Sequence, residues 1–237
     1  MLIGTGVAVV AIGVAIAFAT TAGNGGGNAS GGSSSGEPSS VPTVDSPAAA
    51  SAVVKSVTLK PADWGSGYVA QDPYEDNTLS QSVTDQNCKS ASQPINNAFA
   101  TLARWSQAPD ATALTFSQTI VYKAEDSAHY SLSEERDALQ RCPTVTSGKM
   151  RLEDVHEVNV PGLKGFDEVV AEEGHQVSDV DGKTSDIYYT YLTGRKGKFV
   201  MNTQAARSGT GTQEQNRNDA SSAISLMLSR LESGASY

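Results

Sequence analysis

Three histidines, two cysteines and an excess of acids are the side chains from which chemistry could be built in this chain. His129, His156 and His175 stand far apart, without metal or triad spacing, and His156-Glu157 is not followed by the second histidine that a zinc-protease helix needs. G-x-S-x-G does not occur, and Gly65-Ser66-Gly67 reads as a turn, so a nucleophile elbow has no support. Ser208-Gly209-Thr210-Gly211 would offer backbone amides to an anion. It lacks the further glycine and the lysine of a phosphate loop, and reads as a plain connection. Oxygen ligands suit calcium, and Asp167, Glu168, Glu172, Glu173, Asp179, Asp181 and Asp186 have only Lys183 to offset them. Val177 stands where an EF-hand loop needs its first ligand, and Tyr188 at its twelfth place, so a solvated hairpin face is expected. No catalytic residue, metal site or cofactor is expected.

Glu135 is the acid whose position is informative. In the helical pattern that follows Tyr122, it falls within the apolar face, near Leu132 and Leu139. A carboxyl buried there needs a partner or a raised pKa and would mark a cleft; a snorkelling contact or a frayed helix is the alternative. Trp64, Tyr68, Trp105, Tyr122 and Tyr188 are the candidate ligand-binding residues, with Tyr189 and Tyr191 beside Tyr188 as further aromatics that could line a pocket, because aromatics offer wide, rigid surfaces with polar tips. Half of the strand tyrosines must nonetheless face a core.

These residues need elements to hold them. The run LTFSQTIVY, from Leu114 to Tyr122, has the β-branched and aromatic content of a short buried strand. A helix follows, with Ala128, Leu132, Leu139 and Cys142 on one face, Glu125 and Asp126 at its start, and Arg141 with Pro143 at its end. Ile95, Ala98, Phe99, Leu102 and Trp105 recur at three- and four-residue steps and predict an earlier helix over 94–105. After Gly148 the period turns to two, through Leu152, Val155, Val158 and Val160, then Phe166 to Ala171. Asp181-Gly182 signals a turn into DIYYTYLTG, where Ile187, Tyr189 and Tyr191 share a face. Phe199 to Ala205 gives a further strand, and Ala220, Ile224, Met227, Leu228 and Leu231 line one side of a closing helix. The expected class is α+β, an antiparallel sheet packed by helices on one face.

Composition sets the frame. The 237 residues, 38% hydrophobic and 18% charged, allow one sizeable core. A net charge of -9 leaves no electrostatic footprint for nucleic acid and disfavours an anionic membrane surface. Residues 1–22 carry no charge and are long enough to span a bilayer, as a transmembrane anchor or, with Ala17-Phe18-Ala19, as a cleaved signal peptide. No cysteine follows for lipid attachment. Residues 23–54, rich in Gly, Ser, Pro and Ala, are expected to be a disordered linker with a reach of roughly 30 Å. Residues 55–237 are the expected extracytoplasmic domain, on a cell membrane or secreted. In that compartment Cys88 and Cys142 are expected to form a disulfide, since neither has the CxxC spacing or the companions of a redox or metal site.

The segment LKPADWGSGY, the lone upstream cysteine and VYKAEDSAHYSLSEERDALQRCP, followed by a meander and a terminal helix, resemble the actinobacterial PknH-type extracellular sensor domain. The resemblance covers about Ser56 to Ser233. It implies a membrane-tethered α+β unit with a ligand-binding cleft, often fused through a membrane helix to a Ser/Thr kinase. Receptor-type members carry two disulfides; this chain has cysteines for one, and a stand-alone module without a kinase is expected. LpqN-like lipoproteins are a second, weaker likeness, without their lipid-attachment cysteine. The expected function is therefore a non-enzymatic, sensor-like module of the cell envelope that binds a small molecule or an envelope component. A secreted hydrolase without a recognisable motif and an envelope component that binds a protein partner are the alternatives.

Overall fold

Every residue from Ala113 to Tyr122 is buried. That puts this strand at the centre of the computed structural model, which describes residues 41–148, 150–180 and 183–234. The expected membrane segment, most of the linker and the Asp181-Gly182 turn lie outside the described residues. Among the described residues, no helix is long and apolar enough to cross a membrane.

In chain order the elements are α1 (Pro47–Val57), β1 (Val69–Asp76), β2 (Ser80–Thr84), β3 (Ser90–Pro94), β4 (Ala98–Gln107), β5 (Ala113–Tyr122) and α2 (Glu125–Arg141). After them come β6 (Val145–Ser147), β7 (Met150–Glu157), β8 (Glu168–Val180), β9 (Lys183–Lys196), β10 (Phe199–Ser208) and α3 (Gln213–Ser233). Eight strands form one antiparallel sheet in the order β1-β4-β5-β10-β9-β8-β7-β6, and β2 and β3 pair as a separate hairpin. The fold is α+β, and helices cover both faces of the sheet rather than one. Helices α1 and α3 bury Val54, Val57, Ile224, Met227 and Leu231 against Leu102, Val121, Leu192 and Met201. On the other face, α2 buries Ala128, Leu132 and Leu139 with Phe116, Ile120, Tyr191 and Val200.

Two expectations are corrected. Residues 98–107 form the strand β4, paired with β5 and β1, not a helix. A strand buried on both faces has no polar side to mark period two, so apolar residues at three- and four-residue steps mimic a helical stripe. The second correction moves the start of the fold ahead of residue 55, since α1 occupies residues assigned to the linker. Ser46 caps it by accepting from the Ala49 amide at 3.3 Å, Pro47 opens its first turn, and Ala50, Val54 and Val57 are buried.

Polar contacts fix α1 and α3 to the sheet. Arg104 on β4 donates to the Thr58 carbonyl at 2.5 Å, and the Thr58 hydroxyl reaches Thr119 at 2.9 Å. Arg217 on α3 grips the buried Glu173 with two bonds of 2.8 and 2.9 Å, while Arg230 holds Asp63 with a similar pair of 2.6 and 2.9 Å. Cys88 and Cys142 are bonded, with Cα atoms 5.4 Å apart. Because residues 94–105 are not a helix, the bond does not clamp two helices. It ties the turn of the β2–β3 hairpin to the end of α2.

Candidate functional site

Register places a polar row on the α2 face of the sheet. Gln118 of β5 lies opposite Asn202 of β10, which lies opposite Thr193 of β9. In the next row Tyr191 of β9 lies opposite Glu172 of β8. Above these rows stands α2, and beside it the β2–β3 hairpin. Between them is a cavity of about 540 Å³ whose lining includes Gln118, Tyr122, Glu135, Glu172, Tyr191 and Asn202. Ile120, Leu139, Val155 and Val200 supply apolar wall, and Cys142 carries the disulfide to its edge.

The hydrogen bonds of the polar row run in one direction. Thr101 donates its hydroxyl to the Thr119 carbonyl at 3.2 Å, so its oxygen is left to accept from Gln118 Nε2 at 3.1 Å. Gln118 therefore turns Oε1 toward Asn202, which donates Nδ2 to it at 3.1 Å. Asn202 is 5% exposed, and its Oδ1 has no partner among the described residues. A buried acceptor without a donor costs about 1–3 kcal/mol. The hydroxyl of Tyr122, 3% exposed on the same cavity, is also without a partner.

Two carboxyls complete the site. Glu172, 5% exposed, accepts from the Tyr189 hydroxyl, and Glu135 accepts from Thr193 Oγ1 at 2.8 Å. Tyr189 can reach Glu172 because Gly174 lies across from it: a Cβ on Gly174 would stand 2.9 Å from the Tyr189 hydroxyl. Burial raises the Glu135 pKa to about 8, offset by the Thr193 hydroxyl, raised further by Glu172 and Glu157 and lowered by Arg136. Burial likewise raises Glu172 to about 7, against the Tyr189 hydroxyl and His156, which favour the charged form. The same burial pushes Tyr189 and Tyr191 well above the usual phenol range.

These acids set a pH dependence of stability. Both keep a proton in the folded chain at pH values where the unfolded chain, with an ordinary value of 4.5, has lost it. Folding therefore takes up protons between that value and about 7 or 8, and the stability contributed by the acids is lost as pH rises through this window. Denaturant midpoints should fall from pH 5 to pH 8, and the Glu135→Gln/Glu172→Gln variant should show a flatter profile. An unchanged profile in that variant would rule the two acids out as the cause.

Of the aromatic residues singled out by type, Tyr122 and Tyr191 line this cavity, while Tyr189 lies behind it with its hydroxyl on Glu172. Trp64 packs on the α1 and α3 face, and Tyr68 stands near Arg207 and Asp219. Trp105 is core, with its ring 5.4 Å from Phe116, and Tyr188 leans on His175 at 5.4 Å. Glu135 lies in a cleft, where its place on the apolar face of α2 suggested. Tyr191 was among the aromatics read as pocket lining and Glu172 among the acids read as a cation face; Asn202 and Gln118 were not singled out, and only strand register unites the four, which come from four strands. The acidic run does not act as one group: Asp167 and Glu168 pair with Arg195 and Glu173 with Arg217, while Glu172 turns to the cavity.

Neither a protein-family model nor a curated protein sequence matches the chain. A solved structure does. The extracellular domain of PknH from Mycobacterium tuberculosis superposes with a TM-score of 0.51 at 13% identity, covering 78% of this chain and 97% of that one. The chain thus shares the fold of that extracellular domain.

Proposed function

We propose that this protein is an extracytoplasmic, sensor-like module that binds a small ligand between α2 and the sheet without transforming it. The observation that carries the reading is the cavity itself: about 540 Å³, with Ile120, Leu139, Val155 and Val200 giving apolar wall among many polar side chains, and with the unpartnered acceptor of Asn202 on its lining. A concave, largely apolar space with a few convergent polar groups is the usual form of a small-molecule site. The disulfide supports an oxidising compartment. The uncharged residues 1–22 support delivery to, or anchorage in, a membrane. The fold shared with the extracellular domain of PknH supports an extracytoplasmic place.

Ala138 on α2 lines the cavity, and tryptophan there would fill part of it. Native mass spectrometry of the full chain purified from its own host should show an adduct of defined, time-independent mass. Ala138→Trp and the milder Ala138→Leu should reduce that adduct in order of side-chain size while the circular dichroism stays unchanged. An adduct indifferent to both substitutions, or none at all, would sink the reading.

A further inference from the structure

The lining of the cavity has a consistent sign. Asp126, Glu134, Glu135 and Glu172 contribute to it, and among the described residues no lysine, arginine or histidine does. Arg136, next to Glu135 in sequence, reaches instead to the Val169 carbonyl at 3.3 Å and to Glu157 at 3.5 Å. Each inner acid has one carboxyl oxygen engaged by a hydroxyl, from Tyr189 or from Thr193. The relay from the Thr119 carbonyl through Thr101 and Gln118 leaves Asn202 with an acceptor, not a donor, unpartnered. The site is therefore furnished to receive hydrogen-bond donors and positive charge.

The remaining wall says what carries that charge. Ile120, Leu139, Val155 and Val200 are apolar, and Tyr122 and Tyr191 present aromatic surface. A cation can approach such rings favourably. A bare metal ion would leave most of about 540 Å³ unfilled and its apolar wall without a partner. Resting on the reading of this cavity as the ligand site, we infer that its ligand is an organic amine. Its ammonium group is held among Glu135, Glu172 and Asn202 Oδ1, and its apolar body lies against Tyr122, Tyr191 and Val200.

Binding displaces protons. The groups facing Glu135 are Glu172 on β8, Glu157 on β7, Arg136 on α2, Tyr122 on β5 and Tyr191 on β9; those facing Glu172 are Tyr189 and Tyr191 on β9, His156 on β7 and Glu135 on α2. In the empty cavity the two acids are protonated at mildly acidic pH, and an ammonium group would ionise them and release those protons to solvent. Amine affinity should therefore rise from pH 6 to pH 8, by up to about tenfold per pH unit for each proton released. The amine itself stays protonated over this range.

The test is a charge-matched fragment screen on the full chain by ligand-observed NMR. Phenethylamine, cyclohexylmethylamine and cadaverine are set against alcohols and carboxylates of the same skeletons, with calcium and potassium ions alone as further probes. Fragments whose binding disappears in Ala138→Trp define the cavity binders. These should be amines, weakened by about tenfold or more in Glu135→Gln or Glu172→Gln, variants that stay folded by circular dichroism. Cavity binders that are mainly alcohols or carboxylates would overturn the amine inference and leave the cavity reading standing. So would amines indifferent to both Gln variants, or calcium or potassium binding in place of amines. A screen with no cavity binder of any charge would overturn both.

Discussion

Reducing the Cys88–Cys142 bond should lower the free energy of unfolding by about 4 kcal/mol, and the Cys88→Ala/Cys142→Ala variant should lose at least as much. The argument is one of chain entropy. The two cysteines are 54 residues apart, and the link forbids the unfolded chain all conformations in which they separate. For a domain whose whole stability is of order 5–15 kcal/mol, that is a large share. The loss has a structural address as well. The β2–β3 hairpin is outside the main sheet, and among the described residues no ladder joins it there apart from an isolated bridge between Lys89 and Thr146. The disulfide is its covalent hold on α2, so hairpin amides should lose hydrogen-exchange protection on reduction before those of β5 and β10. Urea titrations with and without reductant measure the first effect, since the reduced protein keeps both sulfur atoms in place. A shift below about 1 kcal/mol would mean that the link does not constrain the unfolded chain as argued.

Trp105→Ala should cost about 3–5 kcal/mol, the range for removing a large aromatic from a core. Trp105 is 8% exposed and packs on Phe116, which in turn stacks on Tyr191 with ring centroids 6.4 Å apart. Had it lined the cleft, its removal would have abolished binding and spared the fold; instead it stands behind the cavity wall. The expected result is a lower denaturant midpoint first, with ligand contacts at Tyr191 weakened only as a consequence of lost support. A variant as stable as the parent would show that the tryptophan is not part of the core. Packing rather than electrostatics decides this outcome, because the site is the meeting of β4, β5 and β9 side chains with no charge among them.

The sequence made some of this architecture legible and hid the rest for physical reasons. The β5–α2 unit was readable because the β-branched run ends within a few residues of a strong helical stripe, and α3 because its five named apolar residues keep one face over three turns. The sheet strand β4 was not, since burial on both sides removes the alternation that identifies a strand. Helix α1 hid inside a compositionally simple stretch, although Ser46-Pro47 is a usable start signal and Ala50, Val54 and Val57 recur at helical steps. In the site, Tyr122 and Glu135 could be proposed from local pattern alone. Asn202 and Glu172 could not, because their significance rests on lying opposite Gln118 and Tyr191, and strand register is a property of the assembled sheet.

The position of α1 has a practical consequence. This helix and the chain leading into it at residue 41 lie on the α3 side of the sheet, and the cavity lies on the α2 side. An attachment made through the amino-terminal end, whether to a sensor chip, a resin or a vesicle, pulls on the back of the molecule. Immobilisation in that orientation leaves the cavity side turned to the flowing solution, whereas coupling through α2 or the hairpin would obstruct it.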